Sequence, residues 1–94
     1  MRVRYYIDPD TNEPHLYKHD VAESEVEEVL ESPGEDRSGR DGSRVAIGQT
    51  LSGRYLKVIY VPDEEPECIF VVTAFDLDGK PLLAYRRRNR RRRS

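Results

Sequence analysis

Ninety-four residues, 36% of them apolar and 36% charged, are enough for one domain with a modest core and too few for two. No run of about 18 apolar residues occurs, and the start MRVRYYIDPD lacks an apolar signal core, so a cytoplasmic protein with no membrane span is expected. The formal net charge of -2 conceals an asymmetry: seven arginines and no acid fall within residues 85–94, leaving nine cations against eighteen anions, a net -9, over residues 1–84.

Residues 2–7, RVRYYI, set Val3, Tyr5 and Ile7 against Arg2, Arg4 and Tyr6, the period of a half-buried strand. DPDTNEP breaks it, and Pro14 can open a short helix through HLYKH. Over residues 21–32, Val26, Val29 and Leu30 form one stripe with Ala22 while Glu23, Glu25, Glu27, Glu28 and Glu31 line the rest, which predicts an amphipathic helix with Asp20 or Ser24 standing in as its cap. SPGEDRSGRDGS then reads as a polar loop.

Three β-branched and aromatic runs follow, at residues 44–50, 54–61 and 68–75, with links short enough to join antiparallel neighbours. In the second, Leu56, Val58 and Tyr60 make the core face and Lys57 shares the other with Tyr55. DLDGK is a turn leading to a helical stub over residues 81–85. The expected fold is α+β: an N-terminal strand, one or two helices and a three-stranded antiparallel meander with the helical layer on one face. The domain occupies residues 1–84, and an arginine-rich flexible tail occupies residues 85–94.

His15 and His19 stand four apart, a spacing that can share a metal, but no third ligand is fixed beside them. A packing or surface pair is the expectation, with no metal and no cofactor, and no phosphate loop, dinucleotide fingerprint or nucleophile elbow occurs. Cys68, alone and beside Ile69 and Phe70, reads as a small core or edge residue. Arg54, Lys57 and Thr73 sit in or beside strands, where an unpaired cation is costly if buried, so they should open on solvent or a groove. With Arg37, Arg40 and Arg44 they either form a phosphate-clamping patch or pair with the abundant carboxylates.

The order KHDVAESEVEEVLESP, DRSGRDGSRVAIGQT, GRYLKVIYV, VVTAF and a basic end, over residues 17–88, resembles the BrnT-type branch of the RelE-like toxin superfamily. The resemblance implies a RelE-like fold and, for active members, metal-independent endoribonuclease activity on messenger RNA held in check by an antitoxin protein. Carried over, the matching residues are Lys18, His19, Arg44, Arg54, Thr73 and the Tyr85–Arg86 step; with Lys57 added from the strand reading, Lys18, His19, Arg54, Lys57, Thr73 and Tyr85 become candidate catalytic groups, with arginines steadying the scissile phosphate and Lys, His or Tyr moving protons. Arg37, Arg40, Arg44, Arg86, Arg87, Arg88 and Arg90 become RNA contacts.

The arginine run has three readings: a nucleic-acid arm, a clasp on acidic surfaces of the same chain or of a second copy in a homodimer, and a solvated end. A toxin component that cleaves or binds RNA is the leading expectation for function. The alternative is a non-catalytic interaction module of the same fold that binds a protein partner or itself.

Overall fold

The computed structural model describes residues 2–65 and 67–93, for the last three the backbone alone. Five strands form one mixed sheet, in the order Arg2–Tyr5, Cys68–Asp76, Tyr55–Pro62, Arg44–Gln49 and Glu35–Ser38. Strands β4 (Glu35–Ser38), β5 (Arg44–Gln49), β6 (Tyr55–Pro62) and β7 (Cys68–Asp76) make an antiparallel meander, and β1 (Arg2–Tyr5) closes its far edge by pairing parallel to β7. A separate two-residue pair, β2 (Ile7–Asp8) with β3 (Glu13–Pro14), leads into a 3₁₀ helix at His15–His19. Helix α1 spans Glu23–Glu31 and helix α2 spans Gly79–Arg93.

The α+β class, α1 and the three long strands stand as expected. Alternation along β6 divides the sheet into two faces. Leu56, Val58 and Tyr60 join Ala46, Val71 and Ala74 beneath Val26 and Val29 of α1 and Leu16 of the 3₁₀ helix. On the opposite face, Ile47 and Leu77 meet Tyr85 of α2, with Val45, Tyr55 and Leu82 packed around them. The helical layers therefore cover both faces, not one.

Four features depart from the sequence reading. The meander has four strands, because Glu35–Ser38 in the expected loop pairs with β5. The opening strand ends at Tyr5, and Ile7 is 46% exposed instead of sharing the inward face of Val3 and Tyr5. Ala22 is the cap of α1: lacking a side-chain acceptor, it relies on Glu25 reaching back to its backbone N–H at 3.0 Å. The arginine run expected as a flexible tail from residue 85 is instead helical through Arg93, and Tyr85 lies inside the core, so no boundary between domain and tail falls there. Arginine is a strong helix former, and α2 is held to the sheet through Leu82 and Tyr85.

Candidate functional site

Most of the body's cations are committed to carboxylates. Arg54, just before β6, grips Asp76 with two donors, Nε to Oδ1 at 2.6 Å and Nη2 to Oδ2 at 3.1 Å, donates from Nη1 to Glu25 Oε1 at 3.0 Å, and also reaches the carbonyls of His19 and Asp20. One guanidinium thus joins β7, α1 and the 3₁₀ helix. The Asp76 contact comes first in holding it protonated above its ordinary range, and Arg54 in return draws the Asp76 carboxyl below its own. Arg44 binds Asp36 at 2.9 Å, and Arg37 lies 3.5 Å from Glu35. Arg44 pairs with Ser38 across the strands, so it and Arg37 point to opposite faces of the sheet. Arg40 occupies the 3₁₀ turn at Arg40–Gly42. The cations from the loop therefore do not gather into one patch with Arg54.

The other candidate catalytic groups are also dispersed. Tyr85 is 2% exposed and packs edge-on against Tyr55, with centroids 6.1 Å apart, so its phenol belongs to the core. Thr73 Oγ1 is enclosed and has no hydrogen-bond partner among the described residues. Lys57 lies 5.9 Å from the centroid of Phe75 and makes no ion pair among the described residues. His19 meets the same Phe75 ring at 5.8 Å.

Lys18 and His19 belong to a cluster that the sequence did not reveal, centred on Asp8. The buried Asp8 carboxylate accepts from Lys18 Nζ at 2.7 Å, from the Asp10 backbone N–H at 2.9 Å and from His15 Nδ1 at 3.0 Å. Those bonds, Lys18's foremost, hold its pKa well below the usual carboxylate range. An ionised carboxylate only accepts, so Nδ1 of His15 carries a proton toward Asp8 and Nε2 lies on the side of the ring away from it. The His15 ring touches Tyr6 at 6.0 Å and His19 at 5.5 Å. The only sequence signal for Asp8 was its place at the head of a turn motif, where its side chain accepts from the backbone two residues on.

A groove of about 760 Å³ lies between α2, residues 32–34 and the start of β6. Arg86, Arg87, Asn89 and Arg90 line one side, and Gln49 and Tyr55 line the other. The Arg86 guanidinium lies 6.0 Å from the Tyr55 ring centroid. Arg86, Arg87 and Arg90 make no ion pair among the described residues, whereas Arg88, on another side of the helix, is bound to Glu35. Of the four RNA-contact candidates on α2, three therefore line a groove and one fastens the helix. Tyr55 and Gln49 were not singled out in the sequence, because nothing there shows that α2 folds back beside them.

The molecule is thus a small α+β protein with helices on both faces of a mixed sheet and, among the described residues, three arginines without an ion pair on one helix. Residues 15–76, from the 3₁₀ helix to the end of β7, match the family model described as Domain of unknown function (DUF4258), and the chain belongs to that family. No curated protein and no solved structure matches it. Asp8 and the arginines of α2 lie outside the matched span.

Proposed function

We propose that this protein binds RNA through the α2 groove and is a RelE-like toxin relative of a type II toxin-antitoxin module. The contrast between free and committed arginines carries the reading. Arg2, Arg4, Arg37, Arg44, Arg54 and Arg88 face carboxylates, while Arg86, Arg87 and Arg90 line a groove without one among the described residues. Unpaired guanidiniums beside a tyrosine ring suit a single-stranded polyanion, whose phosphates take bidentate contacts and whose bases stack. The resemblance to BrnT-type toxins supports messenger RNA as that polyanion, an antitoxin as partner and the cytoplasm as location. The alternative, a non-catalytic module that binds a protein partner or its own copy, is favoured by Arg54, which is committed to Asp76 and Glu25 instead of a phosphate.

The test is fluorescence anisotropy of a labelled single-stranded RNA across a salt series. Replacing Arg86, Arg87 and Arg90 with Gln should weaken binding and reduce the slope of log K against log salt by about two, since each lost phosphate contact on a single strand is worth about 0.7. An unchanged slope would remove the groove from RNA binding.

A further inference from the structure

We infer that the α2 groove takes a nucleoside 5′-polyphosphate, with its base slotted between Tyr55 and Arg86 and its phosphates on Arg87 and Arg90. This rests on the groove of the RNA reading above and narrows its ligand from any stretch of a strand to a nucleotide whose phosphates are gathered at one end.

Size and charge set the ligand class. The volume of about 760 Å³ falls among pockets that enclose one small molecule, about 300–1,000 Å³. An OB-fold groove that tracks a strand, by contrast, holds about 4–16 nucleotides. Among the described residues no Asp or Glu lines the groove, although residues 1–84 carry a net -9. Its three free arginines fall within residues 86–90, about 6 Å of helix axis at about 1.5 Å per residue. Arg90 stands one turn from both of the others, three residues from Arg87 and four from Arg86, so three like charges sit as neighbours and repel. A polyphosphate carries its own charges on adjacent phosphorus atoms and offsets that repulsion at a single place.

The tyrosine side of the groove suits a flat ring. Tyr55 is half-buried, Tyr85 meets it edge-on, and the Arg86 guanidinium lies over it at 6.0 Å from the centroid. A planar base in contact with both needs about 7 Å, twice the ~3.5 Å of carbon contact, so Arg86 has to withdraw by only about 1 Å to admit one. Arg86 is exposed and on a flexible stem, which permits that movement, and both tyrosine and arginine are platforms for stacked bases.

Two amides complete the lining. Gln49 donates its Nε2 to the Gly53 carbonyl at 3.1 Å, which fixes the orientation of the amide and leaves Oε1 as an acceptor for a base amine or a ribose hydroxyl. Asn89 makes no side-chain hydrogen bond among the described residues and offers both a donor and an acceptor. Arg88, clasped to Glu35, holds the helical wall in place before any ligand arrives, so little ordering is left to be done on binding.

The experiment titrates the full chain calorimetrically with ATP, GTP, adenosine and inorganic triphosphate, and competes each against a labelled RNA followed by anisotropy. The nucleoside triphosphates should bind at least about tenfold more tightly than adenosine or triphosphate alone and should displace the RNA, because base and phosphates are held at the two sides of one groove. Tyr55→Leu, which keeps an apolar side chain against Tyr85, should bring ATP down about tenfold, toward the affinity of inorganic triphosphate. Arg87→Gln combined with Arg90→Gln should weaken ATP and triphosphate alike, and a thermal melt of each variant separates a lost contact from a lost fold. RNA ending in a 5′-triphosphate, compared with the same strand ending in a 5′-hydroxyl, separates the two sources of the ligand. A tenfold preference for the triphosphate end makes it the end of a strand, and equal affinity with ATP displacing both makes it a free nucleotide. Inorganic triphosphate binding as tightly as ATP, or nucleotides failing to displace bound RNA, would overturn the inference and leave the RNA reading standing. ATP bound in the absence of any RNA binding would uphold the inference and remove RNA, and binding of neither would overturn both.

Discussion

Arg88 of α2 and Glu35 of β4, fifty-three residues apart, meet in a two-pronged ion pair, Nε to Oε2 at 2.6 Å and Nη2 to Oε1 at 3.0 Å. Glu35 is 5% exposed and points toward the sheet face that α2 covers, so the pair fastens the arginine helix over the sheet. Arg88→Ala should cost about 1.5–3 kcal/mol in urea unfolding, the range of a hydrogen bond to a charged group. Arg88→Lys should recover only part, because an ammonium cannot match the fork of a guanidinium. Equal stability of wild type and Arg88→Ala would mean that α2 is held by Leu82 and Tyr85 alone.

Gly34 lies under Tyr85 so closely that a Cβ there would stand 1.8 Å from the phenolic oxygen and 2.9 Å from the carbon bearing it. Its N–H also donates to the Ile47 carbonyl at 2.8 Å, so the backbone is not free to retreat. Gly34→Ala should destabilise by about 1–3 kcal/mol, the usual cost of overpacking. Adding Tyr85→Phe removes the nearer atom, so the double variant should lose less than the two single losses combined. Strict additivity would show that α2 shifts away as a body.

How far the fold could be read in advance follows from where each element's partners lie. Helix α1 and strand β6 bury apolar residues at the period of their own secondary structure, and β5 and β7 are dense in β-branched and aromatic residues, so sequence alone marks them, including the division of Lys57 from Val58. Strand β4 has no such mark: its one buried side chain is the Glu35 carboxylate, and the arginine that grips it with two donors is on α2. The arginine run looks like a solvated end for the same reason, since its anchors, Glu35 and the face around Ile47, are distant in sequence. Sequence gives the presence of Lys18 and His19 but not their partner, because the turn between β2 and β3 is what brings Asp8 beneath His15.

Of the two readings of Arg54, a member of a phosphate-clamping patch or a partner of the abundant carboxylates, its bonds support the second and make it a tie between elements. Asp76, its main partner, titrates below its ordinary range in the folded chain, so the unfolded chain binds protons first as pH falls through about 4. Stability from this pair is therefore complete above that range and lost on acidification. Asp76→Asn should be less stable than wild type near about pH 6, with the gap closing near about pH 3. Urea melts at the two values test it, and a gap that stays constant would show that the bond to Arg54 does not depend on the charge of Asp76.

Lys57 and Val58 are chain neighbours on opposite faces of β6, and the alternation predicts opposite consequences for changing them. Val58 is fully buried among Val26, Val29, Ala46 and Ala74, where a carboxylate would find no partner, so Val58→Asp should abolish cooperative melting. Lys57 is half-buried against Phe75, and Lys57→Ala should cost no more than about 1 kcal/mol, the scale of an exposed cation–π contact. The contrast is decisive because both substitutions fall in the same strand, so a general weakness of β6 would affect them alike. A folded Val58→Asp protein with a sharp thermal transition would mean that α1 does not press on this face, and the packing that supports the 3₁₀ helix and its two histidines would have to be redrawn.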